Sequence, residues 1–83
     1  MEFLTTFRSR NDAIGWAKYL KMSGVVATTV NKPAGLSGSC GLAVKSVAEQ
    51  DGFIYLKDEY KGRVGTTYII LRDKGKTKFS QFI

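Results

Sequence analysis

The chain has 83 residues, 43% hydrophobic and 24% charged, with a formal net charge of +6 at pH 7. That length supports one domain with a single thin core, the composition excludes a disordered chain, and no apolar run approaches the roughly 18 residues that span a bilayer. One cysteine and no histidine exclude an internal disulfide, a Cys/His zinc site within one chain, and any Ser-His-Asp or Cys-His catalytic scheme unless a partner supplies the base.

The positive charge favours anionic partners, but it is spread along the chain. Residues 1–45 hold six basic and two acidic groups, and residues 46–83 hold seven and five. This distribution reads as a solvated basic surface rather than a groove gathered for nucleic acid. The segment Met1–Thr5 lacks the basic and apolar regions of a secretory signal, so a cytoplasmic protein is expected. Neither a cofactor motif nor a metal-ligand spacing is present, and a membrane is not expected as a partner.

In chain order, Glu2–Arg8 is rich in aromatic and β-branched residues and places Phe3, Thr5 and Phe7 on one face of a strand. Ser9, with Asp12 three positions on, offers an N-cap for a helix that extends to Ser23; Asn11 is the alternative cap. Ala13, Trp16, Ala17 and Leu20 form its apolar face, with Tyr19 at the boundary. Gly15 inside the helix costs about 1 kcal/mol relative to alanine, which points to close packing there. Gly24 is a natural stop. Val25–Val30 is a second strand and Leu42–Val44 begins a third.

Ser46 and Glu49 form a capping box, which predicts a second helix from about Val47 to Tyr60, ended by Gly62. Phe53–Leu56 also reads as a strand. Thr66–Leu71 is the most strand-like run in the chain. Residues 71–83 form a basic tail or an edge strand, with a turn at residues 74–76, and Phe79, Phe82 and Ile83 can dock against the body. The resulting order, β-α-β-β-α-β over a single domain of residues 1–83, is a ferredoxin-like α+β arrangement: a four-stranded antiparallel sheet with two helices on one face.

The connection between the second and third strands departs from this amphipathic pattern. Residues 32–44 hold the only proline, Pro33, the only cysteine, Cys40, and three of the nine glycines. Gly38 and Gly41 flank Ser39-Cys40 and allow the backbone to turn sharply and approach a ligand. Successive N–H groups in such turns can form an anion-binding nest, and Lys32 and Lys45 bracket the loop. Both features favour a nucleophilic thiolate, suited to attack on sulfur or selenium rather than to acyl transfer. The same residues allow a second reading, in which Cys40 is a small, inert hydrophobe at the start of strand three. A phosphate-cradling loop is disfavoured because the P-loop Lys-hydroxyl pair is missing.

The Phe7-Arg-Ser and Gly24-Val-Val sequences flanking the first helix, then Pro33, then Ser39-Cys-Gly-Leu-Ala43, resemble the putative selenium/sulfur carrier protein-like family of small bacterial domains. The resemblance covers roughly residues 3–70. It implies a carrier rather than an enzyme, with sulfur or selenium held on Cys40 as a persulfide or selenosulfide. Gly38, Ser39 and Gly41 would shape the loop, Lys32 and Lys45 would assist by charge, and protein partners would donate and accept the chalcogen. Two features depart from the family pattern: Ala34 stands where a basic residue is often found, and the basic tail is longer.

The alternative function is a small basic binding module for nucleic acid or an acidic protein, with a structural cysteine. Arg72, Lys74, Lys76 and Lys78 would then be decisive, although the signature of the common four-stranded RNA-binding module is absent. Exposed sheet edges also make a homodimer an expectation.

Overall fold

Alternation along the first strand produces two buried faces. In the computed structural model, which describes residues 1–82, every residue from Phe3 to Phe7 is buried. The strand, β1 (Glu2–Thr6), is central: it pairs with β3 (Leu42–Val47) on one side and β4 (Thr67–Asp73) on the other. Beyond β3 lies β2 (Val26–Asn31), and beyond β4 lies β5 (Lys76–Gln81). The order β2-β3-β1-β4-β5 is antiparallel at every pairing. With helices α1 (Arg10–Met22) and α2 (Gln50–Glu59), the chain is an α+β domain with a five-stranded antiparallel sheet among the described residues. Among those residues no helix is long and apolar enough to cross a membrane.

The expectation of four strands is therefore corrected to five. The reason lies in the turn between Asp73 and Lys76. Lys74 and Gly75 both take positive φ, 48° and 80°, as a two-residue hairpin turn with the twist of its flanking strands requires. The basic tail is thereby returned along β4, in register from Asp73↔Lys76 to Tyr68↔Gln81. The Phe82 N–H then donates to the Thr67 carbonyl at 2.8 Å, and its ring lies 5.5 Å from that of Phe3. The docking expected of Ile83 lies outside the described residues.

The second helix also differs in its start. Ser46 does not cap it; it is buried in β3, opposite Phe3 on one side and Ala27 on the other. β3 has strand neighbours on both sides, and its ladder continues through Val47, so these residues satisfy their backbone in the sheet. The helix begins only at Gln50, after Glu49, whose side chain makes no capping bond. The strand reading of Phe53–Leu56 is overturned, because all four residues lie within α2. Phe53, the one buried residue of α2, stacks on Phe3 at 4.1 Å between ring centroids.

The first helix follows its sequence signals. Ser9 Oγ accepts from the Asp12 N–H at 3.2 Å, and Gly24 just beyond the end has φ 82°. Ala13, Trp16, Ala17 and Leu20 are buried against the sheet face that carries Phe3, Val44 and Ala27. Trp16 meets Phe53 and Tyr60 edge-on, so α1 and α2 share one aromatic core over the same side of the sheet.

Gly15 is held to glycine by Tyr60. A Cβ at this position would sit 2.9 Å from the Tyr60 hydroxyl oxygen, and the Tyr60 ring is itself held by Trp16 and Tyr19. Gly15→Ala alone should therefore fail to deliver the roughly 1 kcal/mol that alanine normally contributes in a helix. In a Tyr60→Phe background the gain should reappear, as read by urea denaturation. Equal effects in both backgrounds would show that the contact does not constrain this position.

Candidate functional site at the end of β1

The second sheet face, carrying Leu4, Thr6, Ala43 and Tyr68, is buried as well, and neither helix lies on it. The loop of residues 32–41 covers part of it. The Ser37 N–H donates to Tyr68 Oη at 3.1 Å, and the Ser37 hydroxyl donates to Thr66 Oγ1 at 2.9 Å. Ser37 Oγ also lies 3.1 Å from Tyr68 Oη, and this side-chain contact first, then the Ser37 N–H, hold the Tyr68 phenol below its usual range, with a smaller contribution from the Lys32 charge.

From there the loop rounds the end of β1. Gly38, at φ 105°, passes so close to β1 that a Cβ would lie 3.0 Å from both the Phe7 carbonyl oxygen and Thr6 Cβ. The Ser39 hydroxyl donates to the Arg8 carbonyl at 3.3 Å, and the Cys40 N–H donates to the Phe7 carbonyl at 3.1 Å. The Lys32 N–H donates to the Gly41 carbonyl at 2.8 Å and closes the loop where β2 and β3 begin to pair.

Cys40 thus sits where the loop reaches the helix side of the sheet. It is a free thiol, partly buried, with one flank against the aromatic core. Its sulfur accepts from the Leu42 N–H at 3.4 Å. The thiol is neither sealed in the core nor held out on a mobile arm.

The structure brings Gly38, Ser39, Cys40 and Gly41 together and engages the two lysines elsewhere. Lys32 Nζ donates to the Leu36 carbonyl at 2.8 Å, inside the loop. Lys45 Nζ lies 3.2 Å from Glu2 Oε2, toward the opposite end of β1. Glu2 also receives a two-pronged contact from Arg72, at 3.1 and 3.0 Å. The Arg72 hydrogen bonds first, and then the Lys45 bond, lower the Glu2 carboxyl from its ordinary 4.5 to about 2. Arg72, expected as part of a binding tail, is thereby tied to the sheet.

Beside the loop, at the same end of β1, lies a cleft of about 580 Å³. It is lined by residues 6–8 at the end of β1, by Ser37 and Gly38 of the loop, by residues 63–66 before β4, and by Asp12 of α1. Gly65 permits this shape: a Cβ there would lie 2.1 Å from the Thr6 carbonyl oxygen. The approach is locked by the Thr6 N–H donating to the Thr66 carbonyl at 2.9 Å. Arg8, Ser37, Arg63 and Thr66 are not singled out by sequence pattern. Arg8 and Arg63 are 55 positions apart, and only the pairing of β1 with β4 makes them neighbours of one cleft. Among the described residues no cluster of three His, Cys, Asp or Glu side chains could hold a metal ion.

A family model described as "Putative Se/S carrier protein-like" matches residues 2–58. The chain belongs to this family. The match runs from β1 almost to the end of α2 and contains the whole cysteine loop, while residues 63–66 of the cleft and strands β4 and β5 lie beyond it. Neither a curated protein nor a solved structure matches the chain. Membership in the Se/S carrier-like family directs attention to its one thiol, whose surroundings are those described above.

Two outcomes follow from this geometry. Gly65→Ala should destabilise the fold by about 1–3 kcal/mol, because backbone must move to admit the methyl group; an unchanged denaturation midpoint would show that this crossing is loose. The Glu2 carboxyl is more acidic when folded, so its contribution is present above its ordinary value of 4.5 and is lost as pH falls toward about 2. Glu2→Gln should flatten the acid limb of the stability–pH curve in that window, and a wild-type slope in the variant would contradict it.

Proposed function

We propose that this protein is a non-enzymatic carrier that holds sulfur or selenium on Cys40. The observation that carries the reading is the position of the one thiol of a Se/S carrier-like chain. Cys40 is partly exposed at the sheet end, with its backbone pinned to Phe7 and a backbone N–H directed at its sulfur. Gly38 and Gly41 supply the turn, and Ser39 anchors it to Arg8. Lys32 acts by closing the loop on the Leu36 carbonyl. Lys45 and Arg72 together outnumber Glu2 by one charge and add to the basic surface that an acidic protein donor or acceptor would meet. We read the β2-β3-β1-β4 part of the sheet as ferredoxin-like, with β5 appended.

The chemistry is exchange at a zero-valent chalcogen. The Cys40 thiolate attacks the terminal sulfur of a donor persulfide. The new S–S bond to Cys40 forms as the donor's own S–S bond breaks, and the donor leaves as a thiolate. In delivery, an acceptor nucleophile takes the terminal atom and the Cys40 thiolate is the leaving group. Selenium follows the same path through an S–Se bond. No net oxidant enters either step, and the absence of histidine is no obstacle, because the attacking group is a thiolate rather than a hydroxyl that needs a base.

Incubation of the native protein with a small-molecule persulfide should add the mass of one sulfur atom, removable by a reducing thiol and lost in Cys40→Ser. Alkylation of native Cys40 should proceed at a rate close to that of the unfolded chain. A thiol protected until unfolding, or sulfur that adds equally to Cys40→Ser, would overturn the carrier reading.

A further inference from the structure

The cleft at the end of β1 holds two arginines, Arg8 and Arg63, that neither an ion pair of the fold nor thiol exchange uses. Every ion pair among the described residues converges on Glu2, so Arg8 and Arg63 line the cleft without a carboxylate partner within bridging distance there. The one acidic residue of the lining, Asp12, leaves these three side chains at a net charge of +1. Two arginines that line one cavity from separate loops bring like charge to it, and an anion bound between such groups offsets their mutual repulsion.

The rest of the lining divides by chemistry. The Thr66 hydroxyl, on which the Ser37 hydroxyl is held, and the bare backbone of Gly38 and Gly65 belong to the polar part; Val64 supplies an apolar part. The first turn of α1 borders the cleft through Asp12. Guanidinium forks, hydroxyls and close glycine backbone are the groups that bind phosphoryl oxygens. The volume, about 580 Å³, lies in the range of small-molecule sites and well beyond the needs of one inorganic ion.

We propose that this cleft binds a phosphorylated small molecule, its phosphoryl group on Arg8 and Arg63 and its organic part against the half-buried Val64. The site stands apart from the thiol: Cys40 is held to Phe7 through its backbone but does not line the cleft. Binding at the cleft and loading of Cys40 are therefore separately measurable. Because Ser37 and Gly38 of the carrier loop themselves line the cleft, an occupant of the cleft touches that loop directly, two residues before Cys40.

The test is calorimetric titration of the full chain with AMP, and separately with inorganic phosphate, at low ionic strength. AMP should bind saturably and more tightly than phosphate, and phosphate should compete with it. Arg8→Gln and Arg63→Gln should each weaken AMP binding by about tenfold or more. Both arginines are exposed, so the variants should fold, as circular dichroism would check. Lys76→Gln/Lys78→Gln on β5 and Cys40→Ser should leave the affinity unchanged. The proposal is overturned by any of three results: no saturable AMP binding up to about 10 mM, equal losses in the β5 lysine variant, or phosphate binding as tightly as AMP.

Discussion

The carbonyl of Phe7 is the point on which the arrangement of this protein depends. It accepts the Cys40 N–H at 3.1 Å, and so joins the end of the central strand to the loop that carries the only thiol. β1 can offer this acceptor because it stops pairing there: the ladder with β3 ends at Thr6↔Ala43 and that with β4 at Thr5↔Thr67. A carbonyl freed at the end of a buried strand must find a donor, since an unpaired buried acceptor costs of order 1–3 kcal/mol. The loop supplies that donor.

Around this tie the loop acts as a clasp across the sheet end. On one face Ser37 bonds Thr66 and Tyr68; on the other Cys40 rests on the aromatic core. The helices cover only one side of the sheet, yet Leu4, Thr6 and Ala43 on the other are buried, partly beneath this segment. The same residues therefore seal a secondary core and present the cysteine. In an 83-residue chain with little apolar surface to spare, such double use reduces the loop's freedom and makes a ten-residue connection well ordered by contacts at both ends.

Charge is arranged by the same economy. Glu2 takes both Arg72 and Lys45 at one end of β1, which fastens β4 and β3 to the central strand. At the other end Arg8 and Arg63 are left to a cleft. Burial first, and then the nearby Asp12 charge, raises the Tyr60 phenol above its ordinary range, consistent with a ring that serves as packing under α1 rather than as an acid. The basic tail forms the edge of the sheet, with Arg72 held by Glu2.

Local signals were sufficient wherever a residue's partner lay within a turn or a strand period. The alternation Phe3-Thr5-Phe7, the Ser9–Asp12 cap, the apolar face of α1, the Gly24 stop and the glycine-flanked cysteine all express near-neighbour sterics and hydrogen bonds, and each was legible. The Ser46–Glu49 pair was misleading because a two-sided ladder, invisible in sequence, competed for the same backbone. The fifth strand was open because the Lys74-Gly75 turn defines a hairpin only once β4 is present to receive it. Sequence determined the helix faces, the placement of the thiol in a loop and the family to which it belongs. Tertiary structure alone decided what the loop's lysine bonds and that Arg8 and Arg63 line one cleft, because such arrangements join residues whose proximity depends on strand order, and no local pattern encodes it.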